Sequence, residues 1–166
     1  MAGLAVRPAR ILIAALSGLL AVLVGAGVWI AALARDEQGR AGEGQAVLLA
    51  AGLHAKNLIS LDYKTVDADM RRILESSTGS ARAEYEANAA KLKSTTLENK
   101  VVQQGVLRAT GLVSMTATTA RVLVVADVEI RWDGSKSAPQ DRYYRWQMDL
   151  GKAGRLWLVS KVVQVT

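Results

Sequence analysis

His54 is the only histidine of this chain, and there is no cysteine. A His-based metal site or a Ser–His–Asp triad would have to be built around that one imidazole. Disulfides, thiolate zinc sites and cysteine nucleophiles are excluded together. His54 and Lys56 fall off the apolar stripe of their segment, which predicts a solvated or locally hydrogen-bonded ring rather than a ligand. Asp67 and Asp69 form a close carboxylate pair that invites an acid–base or metal role. Acidic residues in a first helical turn are also what the helix dipole favours, and that accounts for both without chemistry. Tyr144, Trp146 and Trp157 are the candidates for lining a lipid or small-molecule cavity, with core packing as their competing role. No Gly-rich phosphate loop, metal cluster or nucleophile with a base beside it is present. The expectation is a protein that is not an enzyme and takes no cofactor or metal.

The elements that would carry these residues follow from periodicity. Leu48, Ala51, Ala55, Leu58 and Ile59 repeat at three and four, predicting a helix from Gln45 with one buried stripe. Leu61-Asp62-Tyr63 reads as a break. Thr65 or Asp67 caps a second helix in which Val66, Met70, Ile73 and Leu74 face one way, with Arg71 and Arg72 on the solvated side. Ser76–Ser80 ends it, and Ser80 caps a third helix marked by Ala81, Tyr85, Ala89 and Leu92. After Lys100 the period changes to two. Val101–Met115 predicts a long strand with bulges or bends at Gly105 and Gly111. Ala120–Trp132, Arg142–Leu150 and Leu156–Val165 complete four antiparallel strands, the second and third connected by a long hairpin loop from Asp133-Gly134 to Pro139. One face of that sheet is apolar and needs the three helices as its cover. The fold class expected is α+β.

Ahead of these elements, Ile11 to Leu33 carries no charge and no proline. As a helix it is about 34 Å long, matching a hydrocarbon core of about 30 Å. Arg7 and Arg10 precede it, and Arg35 and Arg40 after it are offset by Asp36 and Glu37. The positive-inside rule then puts the N-terminus in the cytoplasm and residues 35–166 outside. The expected layout is a transmembrane helix at 11–33, a tether at 34–44 and an exported domain at 45–166. A cleaved signal sequence ending at Ala32-Leu33-Ala34 is the rival, against which stands the length of the apolar run. Ser17, Ala21 and Gly25 lie four apart and offer a small-residue stripe for contact with another helix. The formal charge of +6 is interspersed rather than clustered, so no nucleic-acid surface is expected.

The runs Leu58-Ile59-Ser60-Leu61-Asp62-Tyr63 and Val66-Asp67-Ala68-Asp69-Met70-Arg71-Arg72 resemble the actinobacterial Mce-associated membrane proteins. Thr78-Gly79, Tyr85, Arg121 to Asp127 and Leu156-Trp157-Leu158-Val159 extend the resemblance over nearly the whole exported part. The chain departs from that family at Leu61, where a second aromatic is common, and at Ser80-Ala81, where an acidic–aromatic pair is. The resemblance implies an NTF2-like or cystatin-like domain, similar to the periplasmic domain of VirB8. It also implies a non-catalytic, accessory or stabilising role in an Mce-type envelope lipid-uptake transporter of the inner membrane. The partners would be a YrbE-type permease and Mce subunits. A VirB8-like assembly scaffold of a secretion system, or an exported domain binding a lipid or small molecule, is the alternative.

Overall fold

The computed structural model describes residues 24–27, 29 and 39–165. The chain divides into two compact units, Met1–Gly42 and Glu43–Thr166. In the first, residues 24–27 and 29 are helical. Most of the apolar run at 11–33, including Ser17 and Ala21, lies outside the described residues, and Gly25 has no described atom within 4 Å of where a Cβ would stand. Among the described residues, no helix is long and apolar enough to cross a membrane.

The second unit is built from three helices and one sheet. Helix α1 covers residues 39–58, α2 Val66–Glu75 and α3 Gly79–Glu98. The strands are β1 (Leu61–Asp62), β2 (Val101–Met115), β3 (Thr119–Trp132), β4 (Gln140–Ala153) and β5 (Leu156–Gln164). They form an antiparallel sheet in chain order. The sheet therefore has five strands rather than four. The extra one is the expected break: Leu61 and Asp62 pair with Gln103 and Val102. Two residues are too few to display a period, so this strand exists only through its partner.

Alternation on the long strands sets the register. Val122 faces Met148, Val124 faces Trp146 and Ala126 faces Tyr144, so each row crosses the inner face with apolar side chains. Helix α1 lies on that face through Val47, Ala51 and Ala55, continued by Ile59 just past its end, all fully buried. Small residues in the middle of the stripe let the helix approach closely. The approach is tight at Gly105, where a Cβ would stand 2.5 Å from Ile59. This glycine is thus a seat for the helix. The register shifts in β2 fall instead between Leu107 and Ala109 and between Leu112 and Ser114, not at Gly105 or Gly111.

Two helix starts differ from expectation. Helix α1 begins at residue 39, inside the segment expected to be a tether. Three glycines weaken the local helical preference there, and contacts outside the segment override it. Glu43 accepts hydrogen bonds from Lys152 Nζ at 2.7 Å and Trp157 Nε1 at 2.9 Å, and Gly44 faces Leu112. Removing that clasp by Glu43→Ala is expected to speed amide exchange over residues 41–47 by about tenfold or more, with β3 unchanged, as read by hydrogen–deuterium exchange. Helix α3 starts at Gly79, whose φ of +53° suits glycine, after the N-cap Thr78. Ser80 is no cap. Its hydroxyl donates to the Ser160 carbonyl and ties α3 to β5.

Candidate functional site

Helix α1 has two apolar stripes. The one buried on the sheet is described above. On the opposite side Ala46, Leu49, Ala50 and Leu53 recur at three and four, and Leu49 and Leu53 are 72% and 58% exposed. This stripe forms one wall of a groove of about 500 Å³. Leu156, Trp157 and Leu158 at the start of β5 form the facing wall, and Arg72 and Glu75 of α2 with its C-cap Ser76 line one end. Leu156 is 66% exposed. The signal was present in the sequence: most positions of α1 between Ala46 and Leu53 are apolar, more than a single buried stripe requires.

A second cavity, of about 400 Å³, lies between α2, α3 and the inner face of the sheet. Tyr144 and Trp146 line it, their rings stacked at 4.8 Å between centroids. Trp157 does not join them. It belongs to the groove, clasped by Glu43 and covered by the Lys152 ammonium. The three aromatic candidates therefore divide between two sites. Tyr144 and Trp146 share one face of β4 because they are two residues apart, whereas Trp157 sits at the start of β5, whose other end, Gln164, pairs with Trp146.

His54 is fully buried rather than solvated. Its ring spans the three helices: Nδ1 lies 2.8 Å from Ser76 Oγ, and Nε2 lies 3.2 Å from Tyr85 Oη. Asn57 Nδ2 donates to the Arg72 carbonyl and to Ser76 Oγ. These partners are distant in sequence, so the helix's own pattern could not reveal them. Burial pushes the His54 pKa down to about 4 and the Tyr85 phenol up to about 12, with Glu84 adding to the latter. Both groups are neutral at pH 7. A Ser–His pair suggests a nucleophile and its base. Here the Ser76 hydroxyl is directed at the Arg72 and Ile73 carbonyls, and the far ring nitrogen meets a phenol, not a carboxylate. The arrangement is a strut that pins α1 to α2 and α3.

The two aspartates separate in the same way. Asp69 is 1% exposed and accepts from the Asp62 backbone N–H at 2.9 Å, from Thr65 Oγ1 at 3.0 Å and from the Arg72 guanidinium. It fastens β1 to α2. Asp67 is exposed and pairs with Lys93 of α3 at 2.6 Å. The two carboxylates have no partner in common. Asp69→Asn is expected to cost about 2 kcal/mol in urea unfolding, because it weakens charge-assisted bonds to a buried acceptor. Asp67→Asn should stay within about 0.5 kcal/mol, as exposed pairs do. Among the described residues, no group of three His, Asp or Glu side chains converges as a metal site would require.

Three helices covering one face of an antiparallel five-stranded meander, with a cavity between them, give an NTF2-like α+β fold. The periplasmic domain of DotI has this fold at a TM-score of 0.60 and 15% identity, over 73% of this chain and 94% of that one. The VirB8 protein of Agrobacterium tumefaciens has it at 0.56 and 13%, over 74% and 92%. A scytalone dehydratase-like protein of Novosphingobium aromaticivorans also has it, at 0.56 and 9%, over 78% and 89%. The fold is therefore shared with proteins of more than one kind.

The chain belongs to the family described as "Uncharacterized protein Rv1363c/MT1408-like", which matches residues 5–166. It is 33% identical over 107 residues to "Uncharacterized protein Rv1363c" of Mycobacterium tuberculosis (strain ATCC 25618 / H37Rv). That match covers 64% of this chain and 40% of the relative, so the chain spans about two-fifths of the curated protein it matches.

Proposed function

We propose that this chain is a non-catalytic assembly scaffold, held in the cytoplasmic membrane by residues 11–33, whose exported domain docks on a larger envelope complex. The fold in common with the DotI periplasmic domain and VirB8 is the observation that carries this reading. The charge-free run supports the anchor, and the family match, starting at residue 5, takes it in. Arg7 and Arg10 support an inward N-terminus. The scaffold reading is favoured over an enzymatic one because His54, Ser76, Tyr85 and Asp69 all bond within the protein, where they hold elements together. The cavity beside Tyr144 and Trp146 has a single charged lining residue, Glu84, with no basic side chain or second carboxylate in the lining to work with it.

Two complexes suit such a scaffold. The fold neighbours favour a secretion-type assembly of the VirB8 kind. The runs at 58–63 and 66–72 favour an accessory place beside a YrbE-type permease and Mce subunits. Deleting the gene should lower the steady-state amount of the complex the chain supports. Secretion components would decline in the first case, and permease and Mce proteins in the second. A C-terminal alkaline phosphatase fusion should be active and a C-terminal green fluorescent protein fusion dark. The reverse pattern, or deletion with every membrane complex at its normal level, would remove the reading.

A further inference from the structure

We propose that the groove between α1 and the start of β5 receives one amphipathic helix from a partner protein. The inference rests on the scaffold reading and names the surface through which it acts. A helix on a sheet needs one apolar stripe, and α1 has a second one facing outward. Leu49, Leu53 and Leu156 stand on the two rims and are each more than half exposed. An acyl chain lying in the trough would leave those rims in water. A helix, about 10–12 Å across with its side chains, presents an apolar stripe that can meet side chains on both rims at once.

The charges choose the helix and its direction. Lys152 is engaged by Glu43, and Arg72 by Asp69. Arg155 has no ion-pair partner among the described residues, and Glu75 is the one carboxylate among the lining side chains. The groove thus offers a spare cation at its β5 wall and a spare anion at its α2 end. A helix with acidic residues in its first turn and basic residues in its last matches that pair when its N-terminus lies over Arg155. Those are also the charges a helix carries most favourably at its own ends. The occupant is therefore a helix with apolar residues at i, i+3 or i+4, and i+7, acidic at the start and basic at the end.

The test uses the full-length chain in the cells that make it, with a benzophenone amino acid placed singly at Leu49, Leu53 or Leu156. Tyr143, 67% exposed on the other face of the sheet, serves as the control position. Groove positions should yield adducts to one partner segment whose sequenced peptide has the stated apolar spacing and end charges. Leu53→Glu and Arg155→Glu should each lower recovery of that partner by about tenfold with the melting temperature unchanged, since both side chains are exposed. Adducts from the groove to a second copy of the chain, or to lipid, would overturn the proposal. So would partner adducts arising only from Tyr143, which would leave the scaffold reading intact. An absence of protein adducts at every position would overturn both.

Discussion

Acidification from pH 7 to pH 4 is expected to remove about 3 kcal/mol of folding stability through His54 alone. The ring is fully buried, and burial holds its pKa near 4 against 6.5 when exposed. Below pH 6.5 the unfolded chain takes up a proton that the folded chain refuses until about pH 4. The contribution is complete above 6.5, declines across that interval and has gone below it. The groups around the ring are Ser76, Asn57 and Tyr85, all uncharged, with Glu84 next to Tyr85 on α3. No carboxylate bonds to the ring, so nothing in contact repays the cost of charging it. Urea unfolding at one-unit steps from pH 7 to 4 measures the slope. His54→Gln should be about 1–2 kcal/mol less stable at pH 7, from loss of a buried hydrogen bond. Lacking the titrating ring, it should overtake the wild type as pH falls. Parallel profiles for the two proteins would contradict the account.

Gly105→Ala is expected to cost about 3 kcal/mol, far more than a glycine-to-alanine change in an open strand. The added Cβ would stand 2.5 Å from Ile59 Cβ and Cγ1 and 2.6 Å from its Cδ1. Ile59 is fully buried, and its branched side chain sits next to the α1 backbone, so it cannot swing aside. Helix and strand would have to separate, loosening the Val47–Ala51–Ala55 stripe that follows. Ile59→Ala alone should also cost about 3 kcal/mol by leaving a cavity. The double variant should be less destabilised than the two combined, by about 1–2 kcal/mol, because each change relieves the other. Additive costs in a denaturation cycle would show that the contact at Gly105 does not govern the packing of α1. Gly111, where an added Cβ meets no atom within 4 Å, provides the control.

Both effects bear on how far the sequence alone reaches. The long strands were legible because alternation along Val122 to Ile130 and Tyr144 to Leu150 reports a sheet with one buried face. What could not be read depends on partners far along the chain. Strand β1 is defined by Val102 and Gln103, the first turn of α1 by Lys152 and Trp157, and the burial of His54 by Ser76 and Tyr85. Gly105 was visible as an anomaly in a strand, but its role as a seat for Ile59 required the helix to be in place. Tyr144 and Trp146 line one cavity and Trp157 another, a division their types could not show, and the outward stripe of Leu49 and Leu53 goes beyond the single stripe that suffices to predict the helix.

The central claim is that the protein acts by holding other proteins rather than by turning over a substrate. It is tested most directly by crosslinking the full-length, C-terminally tagged chain in its own cells. The chain is then purified in mild detergent and the mass and composition of the crosslinked species measured. The account predicts a species much larger than the chain's 17.7 kDa, with integral membrane proteins at fixed stoichiometry. Recovery of the tagged chain solely at its own mass, with no protein attached, would contradict it.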